Sequence, residues 1–588
     1  MNEWDLSYLY ASDELFEEDV NKASTYIEKF ASFKGKLDNE ENFKEFNLLQ
    51  KEFDLLLSKA YQYAHLASDL DKRDVANAQK VFKCMNIINL LQEATAFSSP
   101  EILAIGEEKV MKFIDNNKEL EEFRFGYQKM FKMNEHILDS DKEKLLSYYG
   151  PVTDKGGQLY SDLCVADNKP RTCVLSDGKE VTVTQGNWSS LIQEAKTEED
   201  RAKIFETLYS YYDDHKNVLA DIYHSILLGQ LADVKARNYK SILESHLEHN
   251  NIPTSVFLNL IKVAGNNNAS LKKYLKLKAK HLGLSKYHTY DRFMQLAKSD
   301  KKYSYEEAKE LFFESVKCFP EDFQEKAHEV LKEGFVDVNE KPGKRSGAYS
   351  SSQPGLHPFI LLNYDNTLSD VFTVAHEAGH SIHSLYAGEA QPESLQGYTI
   401  FVAEIASTFN EHNLLDYLMQ SKELSKDEKI MLLQRAIDDM TGTFYRQALF
   451  AEYEYEATKL VENNQPVNYE VLSKIMIELY KKYYDVDITE EKVKQYVWAY
   501  IPHLFYTPFY VYQYATSFSA SLKLYKNVKE QGAPAFERYV GLLKSGGSKY
   551  PVDQAKEAGV DFEDIETFNA VVERMDSLVS QLEKILEE

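Results

Sequence analysis

A predicted helix with one polar and one apolar face constrains the fold of this 588-residue chain most strongly. It spans Thr367 to Gly388, read as TLSDVFTVAHEAGHSIHSLYAG. Thr367 is suited to cap its start, with Asp370 three residues on, and Gly388 is suited to end it. Apolar residues recur at intervals of three and four, which predicts a back that is buried in a core. These residues are Val371, Val374, Ala375, Ala378, Ile382 and Leu385.

The polar face of this helix carries an HExxH pattern, read as HEAGH from His376 to His380. At about 100° per residue, His376, His380 and His383 project within roughly 60° of one another. Glu377 lies on the flank of this histidine face. Two imidazoles one turn apart can bind zinc, and a carboxylate beside them can take a proton from a zinc-bound water. The pattern therefore predicts a zinc hydrolase site.

Catalytic zinc takes three protein ligands, so a third ligand is expected downstream of His380. A third histidine at the metzincin spacing would be residue 386, which is Tyr386, so that subclass is excluded. Glutamates are the remaining candidates. Glu389 and Glu393 fall in the turn-rich link AGEAQPESLQG and are expected to be exposed.

Glu404 and Glu411 stand seven residues apart in a predicted helix, YTIFVAEIASTFNEHNLL, and therefore share one face. An ionised glutamate in so apolar a segment needs a cation as partner. We predict that Glu404 is the third ligand and that Glu411 orients a ligand imidazole by accepting its hydrogen bond. His383 and His412 are expected to be hydrogen-bonding neighbours.

Composition favours a mainly helical chain. There are only 14 Pro and 24 Gly, and 43% of the residues are hydrophobic. The net charge of −26 disfavours non-specific binding to nucleic acid or to an anionic membrane surface. The four cysteines are far apart except for Cys164 and Cys173, which could form a disulfide, but so few cysteines in a long chain better fit a reducing cytosol. An acidic start without an apolar core segment and the lack of an apolar run of about 18 residues likewise predict a cytoplasmic protein without a membrane span.

Two domains are predicted, an N-terminal helical lobe at 1–195 and a catalytic domain at 196–588. A hairpin around Asp177-Gly178, in residues 172–185, closes the first. Residues 335–365 are expected to form a strand pair before the HExxH helix, either an ordinary buried strand or an edge that is open to an extended peptide. Long helices are predicted at 198–215, 217–236, 254–283, 305–317 and 321–332.

HEAGHSIH followed by FVAEIASTFNE resembles the zinc site of the thimet-oligopeptidase family, and within it the bacterial oligoendopeptidase F branch. WDLSYLY, GKRSGAY, LLKSGGSKYP and VWAYIPHLFYTPFYVYQYATS also resemble that branch, so the similarity covers essentially the whole chain. The resemblance implies a two-lobed helical zinc metallopeptidase. It also implies a deep central channel that admits unfolded oligopeptides, with a small β element beside the active site.

The late segment 496–517 is rich in tyrosine. From the residues alone it is an aromatic core segment. The resemblance implies that His503 and Tyr514 are donors to the oxyanion, with Tyr506 or Tyr510 in the role of a second family tyrosine.

These observations predict a zinc metalloendopeptidase, with one Zn²⁺ per chain, that hydrolyses internal bonds of short unfolded oligopeptides. His376, His380 and Glu404 are the expected ligands, and Glu377 is the expected general base. One alternative is a carboxypeptidase or dipeptidyl-carboxypeptidase, for which Lys344-Arg345 would have to supply a cation for the substrate's terminal carboxylate. Another is a non-catalytic peptide-binding protein, which would have no use for Glu377.

Overall fold

The computed structural model describes residues 2–153, 155–421 and 424–588. Helices account for 71% of the residues and strands for 3%, which confirms the mainly helical fold. The chain forms two compact units of three segments each. The first unit contains residues 1–135, 301–418 and 527–559, and the second contains 136–300, 419–526 and 560–588. The division into domains at 1–195 and 196–588 stays a prediction.

The N-terminal segment of the first unit is a set of helices around an aromatic core. Phe30 packs edge-on against Phe46 and Phe53, with ring centroids 5.7 Å apart in both pairs. Short connections around Gly35 and Asp71 separate the first three helices. The helices of this segment are α1 (Asp13–Ala31), α2 (Glu40–Leu70), α3 (Val75–Thr95), α4 (Ser98–Ile105), α5 (Glu107–Asn116) and α6 (Arg124–Met133).

The next segment begins the second unit and contains the predicted hairpin. Strands β1 (Arg171–Val174) and β2 (Glu180–Val183) pair antiparallel, with Gly178 in the turn at φ +84°. The helices of this segment are α7 (Ser140–Thr153), α8 (Lys155–Ser161), α9 (Trp188–Glu194), α10 (Glu198–Asp214), α11 (Lys216–Arg237), α12 (Ile242–Glu248), α13 (Thr254–Asn266) and α14 (Ala269–His281).

The single helix predicted at 254–283 is wrong, because the structure divides it at Asn267-Asn268. The side-chain amide of Asn268 donates to the carbonyl oxygens of Gly265 (2.8 Å) and Lys482 (3.1 Å). Asparagine competes in this way with the helical hydrogen-bond ladder and ends it.

The middle segment returns to the first unit with a three-stranded sheet in the order β3-β5-β4, where a strand pair was predicted. Strand β3 (Val336–Asp337) is parallel to β5 (Phe359–Leu361), and β4 (Tyr349–Ser351) is antiparallel to it. Short β3 lacks the alternating pattern that would reveal a strand in the sequence. The helices here are α15 (Tyr305–Val316), α16 (Glu321–Val330), α17 (Leu368–Ala390) and α18 (Ile400–Met419).

Helix α17 is the predicted HExxH helix. Thr367 caps it, because its hydroxyl oxygen accepts from the Asp370 N–H while the Asp370 carboxylate accepts from the Thr367 N–H (2.9 Å). The helix ends at Ala390 and not at Gly388. Gln391 is extended because it precedes Pro392, and a residue before proline disfavours the helical conformation.

The C-terminal segments supply the remaining helices. A π-helical turn at Thr441–Tyr445 joins α19 directly to α20. No helix in the described part of the chain is long and apolar enough to cross a membrane. The helices are α19 (Lys426–Met440), α20 (Arg446–Glu462), α21 (Tyr469–Tyr484), α22 (Val497–Tyr500), α23 (His503–Tyr506), α24 (Tyr512–Gln531), α25 (Ala533–Lys544), α26 (Pro551–Glu557) and α27 (Glu566–Glu587).

Candidate active site

Three side chains from α17 and α18 converge in the first unit. His376 Nε2 lies 3.2 Å from His380 Nε2, and Glu404 Oε2 lies 3.4 Å from each of these nitrogens. Ligand atoms bound to a tetrahedral zinc ion at about 2.0–2.1 Å are about 3.3 Å apart. The triangle therefore has the size and the donor set of a zinc site with one open position.

Polar partners orient two of the three side chains. Glu411 Oε1 accepts a hydrogen bond from His376 Nδ1 at 2.6 Å, and in the neutral imidazole this contact selects the tautomer whose Nε2 can bind a metal. The Ser407 hydroxyl donates to Glu404 Oε2 at 2.9 Å. Both contacts hold the ligand atoms in place before any ion binds.

Close contact between α17 and α18 makes this convergence possible. A Cβ atom added to Gly379 would lie 2.6 Å from the Ala406 carbonyl oxygen and 2.7 Å from Ser407 Cα. Glycine is thus required at the contact, and the small residues of α18 let the backbones approach. The glycine of HEAGH therefore has a structural role that the HExxH pattern does not express.

The site carries a surplus of negative charge. Burial, the largest influence, opposes ionisation of Glu404, but hydrogen bonds with His376 and His380 hold its pKa well below the usual range. Burial likewise opposes protonation of His376, yet the contacts with Glu404 and Glu411 raise its pKa well above the ordinary value. These carboxylates attract a cation, whether a proton or a metal ion.

Glu377 lies beside the triangle and is 5% exposed. Its Oε2 atom is buried and has no hydrogen-bond partner among the described residues. Burial raises the pKa of this carboxyl, while the neighbouring His376 and His380 act in the opposite direction. Glu377 thus combines an unsatisfied carboxylate oxygen with an elevated proton affinity, the properties of a general base.

The other candidate ligands from the sequence lie outside the triangle. Glu389 forms an ion pair with Lys326 (2.8 Å), and Glu393 forms one with Lys51 (3.1 Å). His383 is not on a polar face as predicted. Its ring is 1% exposed and stacks on Tyr398 with centroids 3.7 Å apart. Burial lowers the pKa of His383 to about 3, so this ring stays neutral.

His412 is also buried, at 8% exposure. It belongs to α18, the helix that carries Glu404. Neither His412 nor His383 belongs to the group of side chains whose ligand atoms converge.

The small sheet packs against α17. Hydroxyl groups join the two elements in pairs, Ser350 with Ser381 (2.8 Å) and Ser352 with Ser384 (2.9 Å). Strand β4 is at the edge of the sheet and pairs only with β5 there. Ile360, the β5 partner of Ser350, donates its N–H to the Phe335 carbonyl oxygen (2.8 Å), away from β4. Ser350 is therefore in a non-hydrogen-bonded pair, and its backbone N–H and C=O point to the other edge.

In the second unit, the structure brings three of the four predicted oxyanion donors together. The His503 and Tyr510 rings stack with centroids 5.8 Å apart, and Tyr514 meets both rings edge-on at 6.3 and 5.5 Å. Tyr506 is 44% exposed and packs against Tyr160 instead. Burial lowers the pKa of His503, which favours a neutral imidazole with one N–H to donate.

A buried acid that the sequence analysis missed holds the loop of Tyr510. The Phe509 N–H donates to Glu454 Oε1 at 2.8 Å, and Phe509 has a left-handed backbone at φ +55°. Burial raises the pKa of Glu454 to about 8, so it is mainly protonated at neutral pH. Its position inside the apolar run ALFAEYEYEA was the only signal in the sequence.

The fold and this site define a mainly helical metallohydrolase. Residues 191–573 match the model of Peptidase family M3, and residues 101–169 match a model described as Oligopeptidase F. The chain belongs to peptidase family M3 and is therefore a peptidase with peptide substrates. Membership of this family also implies a bound metal ion.

Relatives and solved structures agree with this assignment. Oligopeptidase PepF of Bacillus subtilis is 33% identical over 99% of this chain and 87% of that protein, and Group B oligopeptidase PepB of Streptococcus agalactiae is 31% identical over 99% and 97%. A solved Chlamydophila abortus protein has a TM-score of 0.91 at 29% identity, covering 99% of this chain and 98% of that one. Oligoendopeptidase-F from Enterococcus faecium has 0.75 at 27%, covering 98% and 99%.

Proposed function

We propose that this chain is a zinc endopeptidase that cleaves internal bonds of short, unfolded oligopeptides. One zinc ion per chain would be held by His376, His380 and Glu404. The triangle of ligand atoms 3.2–3.4 Å apart carries this proposal, because its dimensions match tetrahedral zinc. The names of the relatives, oligopeptidases and oligoendopeptidases, support the substrate class.

Glu377 is the general base of the proposed reaction. Its unsatisfied carboxylate oxygen accepts a proton from the water that attacks the peptide carbonyl, and it then returns this proton to the leaving amine. Zinc, when bound, supplies Lewis-acid polarisation and lowers the pKa of water. Glu411 keeps the imidazole of His376 in the tautomer whose Nε2 is free to bind the metal.

His503, Tyr510 and Tyr514 are the proposed donors to the developing oxyanion. The packing of these three rings supports Tyr510 rather than Tyr506 as the second tyrosine. Single Tyr→Phe variants test the assignment, because each removes one hydroxyl donor and keeps the ring. We expect kcat to fall for Tyr510→Phe and Tyr514→Phe by about 10²-fold and to stay near wild type for Tyr506→Phe. A loss in Tyr506→Phe alone would contradict it.

The edge of β4 is a further proposed contact. The outward N–H and C=O of Ser350 are suited to pair with the backbone of an extended peptide, which makes binding independent of substrate sequence. This supports a peptidase that accepts many oligopeptides.

Both side chains considered as the cation of a carboxypeptidase are paired with carboxylates. Lys344 is buried and its ammonium binds Asp337 Oδ1 at 2.7 Å. Arg345 forms an ion pair with Asp69 at 3.2 Å. Both side chains are engaged within the first unit. The binding-protein alternative leaves Glu377 without a role.

A cleavage experiment distinguishes these alternatives. The purified protein is incubated with a defined peptide mixture, alone, with a chelator, and with the chelator followed by excess Zn²⁺, and the products are located by mass spectrometry. The endopeptidase predicts internal cuts that disappear with the chelator and return with zinc. Cuts confined to the C-terminus would favour the exopeptidase, and no cuts would favour the binding protein.

The cellular location is also a proposal. Four free cysteines, Cys84, Cys164, Cys173 and Cys318, fit a reducing compartment such as the cytoplasm. Fractionation of cells with an antibody against the chain tests this, and recovery outside the cytoplasmic fraction would contradict it.

A further inference from the structure

A cavity of about 280 Å³ lies within the second unit. Its wall combines the segment Tyr287–Gln295 with the π-helical turn at Thr441–Tyr445, the start of α20 and the end of α21. The side chains that carry its chemistry are Arg292, Arg446, Asp438, Thr441, Tyr480 and Tyr484.

Two guanidinium groups line this cavity with aromatic rings as their neighbours. The Arg292 guanidinium lies 4.4 Å from the Phe293 ring centroid and 5.4 Å from that of Trp188. The Arg446 guanidinium lies 5.3 Å from the Phe450 ring centroid. Arg446 Nε is buried and has no hydrogen-bond partner among the described residues. Arginine is rarely buried unless it is paired, because desolvation of an unpaired charge is costly.

Neighbouring carboxylates are engaged elsewhere. Asp291 binds Arg201 at 2.8 Å. Asp438, which lines the cavity, accepts from the Tyr274 hydroxyl (2.7 Å) and lies 3.8 Å from the Lys278 ammonium. No carboxylate lies within ion-pair distance of either cavity arginine in the part of the chain that the structure describes.

The local charge balance is positive. Arg292 and Arg446 are the basic groups on the cavity wall, and Asp438 is its carboxylate among the described residues. Lys278 and Lys494 lie nearby, and burial lowers the pKa of both ammonium groups. Burial, and next the charge of Arg446, lower the pKa of the Arg292 guanidinium.

We propose that this cavity binds a small oxyanion with two negative charges, such as inorganic phosphate or a dicarboxylate. Two guanidinium groups offer paired N–H donors that match phosphate and carboxylate oxygens, and a dianion balances both charges. Tyr480 and Tyr484 add hydroxyl groups to the wall, whereas the Thr441 hydroxyl donates to the Ile437 carbonyl oxygen at 2.7 Å. The π-helical turn before Arg446 supports a binding role, because such turns are frequent at functional sites.

Calorimetric titration of the metal-loaded protein tests this proposal. Inorganic phosphate, succinate and chloride are titrated separately in a zwitterionic buffer at constant ionic strength. We expect one saturable site for phosphate or succinate and weaker binding of chloride. The Arg446→Gln variant should lose affinity by about tenfold or more, because a charge-assisted contact is removed. Arg237→Gln, whose wild-type side chain is paired with Glu143 and Asp233, is the matched control.

Two further variants are titrated in the same way. Arg292→Gln should weaken binding like Arg446→Gln, and it serves if the first variant fails to fold. Glu404→Ala removes a proposed metal ligand and should bind the anion like wild type, which separates this cavity from the metal site. The proposal is overturned if no anion gives saturable binding, if chloride binds as tightly as the dianions, or if both arginine variants bind like wild type.

Discussion

The two units each contain a cluster of partly buried charged groups, and the two clusters differ in sign and in construction. In the first unit, Glu377, Glu404 and Glu411 surround two imidazoles, and hydrogen bonds fix the ligand atoms. In the second unit, the Arg292 and Arg446 guanidinium groups lie against aromatic rings, and neither forms an ion pair with a carboxylate among the described residues. Directional hydrogen bonds select the coordination geometry of an ion, whereas ring faces leave a guanidinium selective mainly for charge. The comparison predicts a specific cation site and a less specific anion site.

Loss of a proposed ligand gives the largest expected effect. Glu404→Ala should reduce metal affinity by more than about 100-fold and peptide hydrolysis with it, because it removes one of three donors. Metal content after dialysis against a weak chelator is the measurement. Glu389→Gln is the matched control, since this exposed glutamate pairs with Lys326. Equal loss in the control, or full metal content in Glu404→Ala, would refute the assigned ligand.

Glu411 is expected to have the next largest effect. Glu411→Gln keeps the size of the side chain but weakens the acceptor that orients His376, and metal affinity should fall by about 10–100-fold. Competition with a chromophoric chelator measures this change. Unchanged metal affinity would mean that this hydrogen bond does not orient His376 for metal binding. The metal site would then not differ from the arginine cluster in having its ligands fixed by hydrogen bonds.

The close contact of α17 and α18 predicts a smaller effect on stability. Gly379→Ala places a methyl group 2.6 Å from the Ala406 carbonyl oxygen, so we expect the free energy of unfolding to fall by about 1–3 kcal/mol. Gly388→Ala is the control, because its new methyl group has no neighbour closer than 3.9 Å and alanine favours helix by up to about 1 kcal/mol. Urea unfolding of both variants measures the difference. Similar values for the two would exclude the tight contact.

The arginine cavity predicts a change of opposite sign. Arg446→Met removes a half-buried guanidinium whose Nε has no hydrogen-bond partner among the described residues, so in a buffer free of multivalent anions the free energy of unfolding should rise by about 1 kcal/mol. Arg237→Met should instead lower it, because Arg237 binds Glu143 at 2.7 Å. Thermal unfolding checks both signs. Destabilisation by Arg446→Met would indicate that this arginine has a stabilising partner.

The two clusters also differ in how far the sequence predicts them. The positions of His376, Glu377 and His380 on one helix follow from their spacing in the sequence. Thr367 and Asp370 predict where that helix begins. Glu404 follows from the apolar segment around it. The need for Gly379 was not predicted, because it depends on the approach of a second helix.

The arginine cavity could not be predicted in the same way. Arg292, Arg446 and Tyr480 are far apart in the chain, and only long-range packing brings them to one wall. A similar limit explains the broken helix at Asn267-Asn268, where the Asn268 amide reaches the carbonyl of Lys482. Local patterns thus predict helices and short-range motifs, while contacts between distant segments require the structure.

Metal content and peptide hydrolysis, measured in one preparation of the Glu377→Gln variant, separate proton transfer from metal binding. Glu377 is proposed to move a proton and not to bind the metal, so the variant should retain the zinc content of wild type. Its kcat/KM should fall by about 10²–10⁴-fold, since the amide cannot accept the proton. Hydrolysis at the wild-type rate, or loss of zinc together with activity, would contradict the account.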